Sequence, residues 1–129
     1  MNQLNLLLLD DDEALLFNLK LFLEDENIAV TPAVNAEEAL QHVKNNKFDI
    51  AIVDIKLPGM NGNDFMKYAS RIDRKLKYIV HTGSDYYSIP DELKRLNLPI
   101  HDVLIKPIDN MEKFTQKIYE SVESNSVDL

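Results

Sequence analysis

The sequence predicts an α/β fold: a doubly wound, five-stranded parallel sheet with helices on both faces. Short apolar runs alternate five times with segments of helical period along the 129 residues, which is typical of a parallel sheet wrapped by helices. The apolar runs are continuous rather than alternating, as expected of strands that are buried on both faces. The length is typical of one domain, and 45% hydrophobic residues are enough to build its core.

Five strands are predicted from the continuous apolar runs. Five βα units of this length favour the flavodoxin-like strand order 2-1-3-4-5, in which the first and third strands are neighbours about 4.8 Å apart. The predicted strands are Leu4–Leu9, Ile28–Ala33, Ile50–Val53, Tyr78–His81 and Val103–Ile105.

A helix is predicted after each strand. The second starts at Asn35, with Glu38 three residues on, and the fifth starts at Asp109, with Glu112; both pairs have the spacing of a capping box. The predicted core stripes are Leu15, Leu19, Phe22 and Leu23 on the first helix, Phe65, Ala69 and Ile72 on the third, and Phe114, Ile118 and Val122 on the fifth.

The fourth helix has the weakest pattern of the five. Pro90 and the pair Tyr86–Tyr87 interrupt it. Because proline cannot donate the helical hydrogen bond, we expect this helix to begin near Ser88 and to end before Pro99.

Composition narrows the class of protein. The absence of cysteine excludes disulfides and thiolate metal sites, and no stretch approaches the roughly 20 apolar residues of a membrane span. The apolar run Leu6–Leu9 leads straight into Asp10, so no signal peptide is expected. A cytoplasmic protein without a membrane partner is therefore expected. Residues 1–124 are expected to form one domain, and residues 125–129, which lack periodicity, a frayed tail.

The chain is acidic, with 22 Asp and Glu against 14 Lys and Arg and a net charge of −8. A field of this sign repels the phosphate backbone of nucleic acids. Direct binding to DNA or RNA is therefore not expected.

Polar residues follow four of the predicted strands at their carboxyl ends. Three consecutive acids, 10–12, follow the first strand, Asp54 follows the third, Thr82 follows the fourth, and Lys106 follows the fifth. Ligands of doubly wound sheets bind beyond this edge, so the edge is the place to look for a site.

The acids predict a metal ion at this edge. Asp54 would face Asp10 and Asp11 across the gap between the first and third strands. Two carboxylates about 5 Å apart repel by about 3 kcal/mol at an effective dielectric constant near 20, so such a cluster must bind a proton or a cation. Hard oxygen ligands with room for water suit Mg²⁺.

Each residue also has a simpler interpretation when it is taken alone. The acidic run caps the next helix, and Asp54 begins an Asx-turn into Pro58–Gly59. Thr82 is then a hydroxyl at the end of a strand, and Lys106 a solvated lysine. The conjunction of these residues at one sheet edge favours a site.

Four segments, in this order and spacing, resemble the receiver domains of two-component response regulators across essentially the whole chain. The segments are LLLLDDDEALL (6–16), FDIAIVDIKLPGMNG (48–62), YIVHTG (78–83) and VLIKP (103–107). The resemblance implies a signalling phospho-acceptor rather than an enzyme, with at most self-directed phosphotransfer and autodephosphorylation. It also implies a histidine kinase or histidine phosphotransfer protein as donor, a downstream protein target, and a possible homodimer through helix four, strand five and helix five.

The resemblance assigns a role to each polar residue at the edge, and it implies a cis peptide bond before Pro107. Asp54 would be phosphorylated, Asp10, Asp11, Asp54 and the backbone carbonyl of Lys56 would hold Mg²⁺, Thr82 would turn toward the phosphoryl group, and Lys106 would pair with it. Phe17 and Leu21 lie opposite the core stripe of the first helix, which docks against the donor in this family. We therefore expect these two side chains to be exposed and to contact the donor.

Val103 and His81 depart from the family pattern. Val103 stands where the family usually has Tyr or Phe, an aromatic that swings inward as the hydroxyl moves. Either Tyr86 or Tyr87 takes over that task, or both are loop packing. His81 replaces an aliphatic residue and is interpreted as a satisfied core histidine, with pH sensing as the alternative.

Three other classes of protein were weighed. A haloacid-dehalogenase-type phosphatase would use Asp10 as nucleophile together with Asp12, Thr82 and Lys106, but this class leaves Asp54 unexplained, and its usual Thr and its cap domain are missing. A non-phosphorylated interaction module on the same fold is the second. A flavodoxin is disfavoured, because the chain has only three glycines and no phosphate-binding loop after the first strand. The aspartate that becomes labelled separates the first class from a receiver.

Overall fold

A computed structural model describes residues 3–123 as one five-stranded parallel sheet with the strand order β2-β1-β3-β4-β5. The strands are β1 (Leu4–Leu9), β2 (Ile28–Ala33), β3 (Ile50–Val53), β4 (Lys77–Thr82) and β5 (Ile100–Ile105). The helices are α1 (Glu13–Asp25), α2 (Ala36–Asn45), α3 (Gly62–Ile72), α4 (Asp91–Arg95) and α5 (Met111–Glu123). The predicted fold and strand order are confirmed.

The sheet separates two hydrophobic cores, because alternate residues of each central strand point to opposite faces. Leu7 and Leu9 of β1 belong to the core that is covered by α2, α3 and α4. Leu6 and Leu8 belong to the other core, which is covered by α1 and α5. All four leucines are at most 1% exposed, which explains why the strand has a continuous apolar sequence.

Strand register brings the carboxyl ends of β1 and β3 to the same level. Leu9 is paired with Val53, and the backbone N–H of Asp54 donates to the carbonyl of Leu9 at 3.0 Å. The residues that follow these two strands, Asp10 and Asp54, are therefore held at the same edge of the sheet by the ladder itself.

Helix N-termini were predicted with mixed success. Asn35 caps α2 by accepting from Glu38 N–H at 2.8 Å, and Glu38 reaches back to the N–H of Val34, one residue before the cap, at 3.2 Å. The predicted cap of α5 is wrong by one residue. Its side-chain cap is Asn110 rather than Asp109, and it accepts from Lys113 N–H at 3.0 Å.

Two of the predicted core stripes need correction. Ile72 is 40% exposed because it is the last residue of α3, and Met66 of the same helix is fully buried instead. On α1 the prediction missed Leu16, which is buried, while Leu15 and Phe22 are only half-buried.

The second half of the fold departs most from prediction. Helix α4 has five residues and begins at Asp91 after Pro90, not near Ser88. Strand β5 begins at Ile100 and lies at the edge of the sheet, with His101 exposed, so it lacks the fully buried pattern that was used to find it. An edge strand has one neighbour and need not be apolar throughout.

Residues 124–129 lie outside the described part of the chain, and so does the predicted frayed tail at 125–129. Between residues 3 and 123, no helix has the length and apolar character needed to cross a membrane.

Candidate functional site

Three aspartates meet where β1 and β3 end. One carboxylate oxygen from each of Asp10, Asp11 and Asp54 lies within 4.8 Å of the other two. Asp10 and Asp54 are buried, whereas Asp11 is exposed, so the cluster has one open side. The predicted convergence of the acids is present in the structure.

Lys106 lies between the two buried acids. Its Nζ donates to Asp10 Oδ2 at 2.7 Å and to Asp54 Oδ2 at 3.3 Å. The ladder between β4 and β5 places it there, since Lys106 N–H donates to the carbonyl of Thr82 at 2.8 Å. The peptide bond from Lys106 to Pro107 is cis, as the resemblance implied.

The charged groups of this cluster shift the pKa values of Asp54 and Lys106. Burial raises the pKa of Asp54 above its usual value, the negative charge of Asp10 raises it further, and Lys106 offsets part of the rise. Partial burial acts to lower the pKa of Lys106, but the bonds and charges of Asp10 and Asp54 outweigh it and raise that pKa. The cluster therefore favours a bound cation, and in this structure the cation is the ammonium group of Lys106.

Asp10 and Asp12 have different environments although both belong to the acidic run. Asp10 accepts from the N–H of Asp12 with Oδ1 and from Lys106 with Oδ2. Asp12 is exposed and caps α1, accepting from Leu15 N–H at 3.1 Å. The helix-cap interpretation therefore holds for Asp12, while Asp10 and Asp11 belong to the metal-type cluster.

Thr82 and Lys56 complete the predicted set. Thr82 is buried, and its Oγ1 accepts from Ser84 N–H at 3.3 Å, a bond within the loop that follows β4. Lys56 lies two residues beyond Asp54 with its side chain exposed, and the role of its carbonyl stays a prediction.

Gly62 is a site residue that sequence reasoning missed. It begins α3, donates to the carbonyl of Ile55 at 2.9 Å, and is buried. A Cβ atom at this position would lie 2.2 Å from the carbonyl oxygen of Asp54, far inside contact distance. The start of α3 thus presses directly on the backbone of Asp54, which only glycine permits. The sequence shows glycine here, but not the close approach that requires it.

His81 is buried, but it is not satisfied. Its ring packs against Phe114 with a centroid distance of 5.7 Å, and its Nε2 has no hydrogen-bond partner among residues 3–123. Burial, and then the positive charge of Lys106, lower the pKa of His81 to about 4. The interpretation of a satisfied core histidine is therefore wrong in its hydrogen bonding.

His81→Leu is expected to make the domain less sensitive to acid. The unfolded chain binds a proton at His81 below about pH 6.5 and the folded chain only below about 4, so stability falls as pH drops through this window. Up to about 3 kcal/mol of the free energy of unfolding is involved, since the side chain is 2% exposed. Urea unfolding at pH 7 and pH 4.5 measures it; an unchanged pH dependence in the variant would contradict this account.

The predicted exposure of the two apolar residues on α1 is confirmed. Phe17 is 63% exposed and Leu21 is 55% exposed. Phe17 borders a cavity of about 220 Å³ together with Pro32 and Val34. Contact with a phosphodonor stays a prediction.

The match to a known family decides the class of protein. The family model named response regulator receiver domain matches residues 6–119 of the chain. The chain belongs to this family. Receiver domains are parts of two-component systems that interact with histidine kinases and downstream effectors, and they generally signal rather than catalyse.

Three relatives show how far the likeness extends. A receiver domain protein (CheY-like) from Methanospirillum hungatei JF-1 is 31% identical with a TM-score of 0.86, over 99% of this chain and 100% of that one. The regulatory protein VanR of Enterococcus faecium is 31% identical over 83% of this chain and 45% of its own length. The uncharacterized transcriptional regulatory protein YkoG of Bacillus subtilis is 27% identical over 94% of this chain and 52% of its own.

The chain thus spans about half the length of these two curated relatives. YkoG is named a transcriptional regulatory protein, so the comparisons give no support to the expectation that nucleic acid is not bound directly. A fourth protein, the response regulator TrrA of Thermotoga maritima, has the same fold, with 24% identity and a TM-score of 0.78 over 92% of this chain and 98% of that one.

Proposed function

We propose that this receiver domain accepts a phosphoryl group on Asp54 from a phosphohistidine donor in a Mg²⁺-dependent reaction, and that phosphorylation switches a protein-binding surface. One observation carries the proposal: three carboxylates and one ammonium group converge at a sheet edge that is open on the side of Asp11. Such a group of charges is costly as a purely structural device and suited to phosphoryl transfer.

The donor set fits Mg²⁺. Three carboxylates lie within reach of one small cation, and the exposed Asp11 leaves room for the waters that Mg²⁺ retains. Asp10, Asp11 and Asp54 would hold the ion, with the backbone carbonyl of Lys56 as a fourth protein ligand. When bound, Mg²⁺ neutralises charge on the transferring phosphoryl oxygens. The structure of TrrA was solved in complex with Mg²⁺-BeF, which supports the same use of this fold here.

Asp54 supplies the nucleophile. One of its carboxylate oxygens attacks phosphorus, the P–N bond of the phosphohistidine breaks, and the electron pair of that bond remains on the imidazole nitrogen, which then binds a proton. Lys106 releases its hydrogen bonds to Asp10 and Asp54 and donates to the phosphoryl oxygens instead. Its Nζ already lies between the two acids, so this change needs no large movement. Thr82 donates its hydroxyl to the same group.

The acyl phosphate then acts as a signal. It brings about −1.5 to −2 charges and new acceptor oxygens to the edge of the sheet, which biases the loops around it. We propose that the output is binding of a downstream protein, with a homodimer through α4, β5 and α5 as one form. The exposed Leu96 and Ile105 support an interface there.

A phosphatase of the haloacid-dehalogenase type is the alternative, with Asp10 as nucleophile. The structure favours Asp54, because both oxygens of Asp10 are already bonded and Asp12 is used as a helix cap. Peptide mapping after incubation with Mg²⁺ and acetyl phosphate distinguishes the two. We expect the added phosphoryl group on Asp54; a label on Asp10 would replace this proposal with the alternative.

We further propose that Phe17 and Leu21 contact the donor, because both are exposed on the helix that begins next to the acids. Phe17→Ser combined with Leu21→Ser should slow phosphotransfer from a phosphorylated histidine phosphotransfer protein about tenfold, but not from acetyl phosphate. The matched control is Tyr68→Ser with Ile72→Ser, an exposed pair with the same spacing on α3. Equal rates for the two double variants with the protein donor would contradict the assignment.

A further inference from the structure

Two adjacent tyrosines in the loop after β4 have very different environments. Tyr86 is 92% exposed. Tyr87 is half-buried against the core under α2, α3 and α4, and its hydroxyl donates to Asn63 Oδ1 at 2.7 Å. Burial raises the pKa of Tyr87 to about 12, so the hydroxyl keeps its proton at neutral pH. Loop packing alone does not describe Tyr87, since its bond has a specific partner in another element.

The partner of Tyr87 lies next to the phospho-acceptor. Asn63 is the second residue of α3, and its predecessor Gly62 packs against the carbonyl of Asp54 with no room for a Cβ atom. Because the two backbones touch at Gly62, the first turn of α3 cannot shift without moving Asp54. The hydroxyl of Tyr87 is thus anchored to a rigid part of the site.

The other end of the same loop is tied to Thr82. Ser84 N–H donates to Thr82 Oγ1 at 3.3 Å, and Tyr87 N–H donates to the carbonyl of Ser84 at 3.3 Å. The three bonds link the hydroxyl that must move, through Ser84 and Tyr87, to the start of α3. We expect a turn of the Thr82 side chain toward a phosphoryl group to draw its Oγ1 away from the N–H of Ser84, which would loosen the turn that carries Tyr87.

Val103 cannot supply the aromatic side chain that the family usually has at this position. It is half-buried, packs against the same core as Tyr87, and has no polar group with which to form a switchable bond. Tyr87 packs against the same core and carries a polar group, its hydroxyl, which is bonded to Asn63.

We propose that the Tyr87–Asn63 hydrogen bond restrains the loop of residues 83–90 in its unphosphorylated arrangement, and that its release accompanies the turn of Thr82 toward the phosphoryl group. This inference rests on the proposed phospho-acceptor function. The bond makes Tyr87 a positioning residue for Thr82, acting on it through Ser84.

Tyr87→Phe tests the restraint, because it removes the hydroxyl and keeps the ring in the core. Loss of one net hydrogen bond that stabilises only the unphosphorylated arrangement shifts the equilibrium about fivefold. We expect beryllofluoride with Mg²⁺ to bind Tyr87→Phe about fivefold more tightly than the wild type. Tyr86→Phe is the matched control and should bind as the wild type does. Asn63→Ala should reproduce the gain, and combining it with Tyr87→Phe should add nothing.

Amide hydrogen exchange without any phosphoryl group gives an independent readout. Residues 83–90 should exchange faster in Tyr87→Phe than in Tyr86→Phe. Equal exchange in the two variants, or equal beryllofluoride affinity, overturns the restraint. Absence of beryllofluoride binding in the wild type overturns the phospho-acceptor function instead, while the exchange experiment still decides whether the bond holds the loop.

Discussion

Asp54→Asn is expected to abolish phosphoryl acceptance while leaving the domain folded. The amide has no nucleophilic oxygen anion, so the rate of labelling by acetyl phosphate with Mg²⁺ should fall at least about a thousandfold, to background. Intact-mass spectrometry over time measures this rate. A variant that is still labelled at the wild-type rate would show that Asp54 is not the acceptor.

The loss should not come from unfolding. The pKa of Asp54 is raised because its charge is buried beside the charge of Asp10. The folded chain therefore holds this proton more tightly than the unfolded chain does, and ionisation of Asp54 lowers stability as pH rises through its folded pKa. At neutral pH the uncharged amide relieves this cost, so we expect a melting temperature at or above that of the wild type.

Asp12→Asn is the matched control for this prediction. Asparagine caps a helix about as well as aspartate, and Asp12 lies outside the cluster of three acids. The control should be labelled at the wild-type rate. Loss of labelling in Asp12→Asn with labelling retained in Asp54→Asn would favour the phosphatase arrangement.

Gly62→Ala is expected to cause the second large effect. Its methyl group would lie 2.2 Å from the carbonyl oxygen of Asp54 and 2.9 Å from Ile55 Cα, and both are backbone atoms that cannot rotate away. We expect the free energy of unfolding to fall by about 3 kcal/mol, as overpacking a tight contact does, and the labelling of Asp54 to slow because its backbone is displaced. Denaturant titration and the labelling rate measure the two effects.

Gly83→Ala is the control for Gly62→Ala. A Cβ atom at Gly83 would meet no atom within 4 Å, so the same substitution should change stability by no more than about 0.5 kcal/mol. Helix propensity alone would make alanine favourable at Gly62, the first residue of α3. A Gly62→Ala variant as stable as the wild type would therefore show that the contact with Asp54 is not rigid.

The central strands were predictable because their burial is uniform. The first three strands have the predicted bounds: β3 is buried throughout and β1 is buried from Leu6 to Leu9, while β2, although an edge strand, is buried at Ile28, Val30 and Ala33. Strand β5 was predicted three residues too short, because an edge strand contains exposed residues such as His101. The start of α4 was predicted three residues early, because a five-residue helix offers too little periodicity to place its first turn.

The site was predictable where chain order alone determines position. Acids that directly follow neighbouring parallel strands must meet, and they do. Contacts that depend on side-chain direction were not visible: Lys106 bridging Asp10 and Asp54, and the bond from Tyr87 to Asn63. Those contacts join residues 24 to 96 positions apart, and no local pattern encodes them.

The central claim is that the converging acids bind a divalent cation, which activates Asp54 as phosphoryl acceptor. The most direct test is the rate of Asp54 phosphorylation measured as a function of Mg²⁺ concentration. We expect one phosphoryl group from acetyl phosphate in the presence of Mg²⁺ and none in the presence of EDTA. In Asp11→Asn, which loses an exposed ligand of the cluster, the Mg²⁺ concentration for half-maximal labelling should rise at least about tenfold. Labelling that is equally fast in EDTA, or absent at saturating Mg²⁺, would contradict the account.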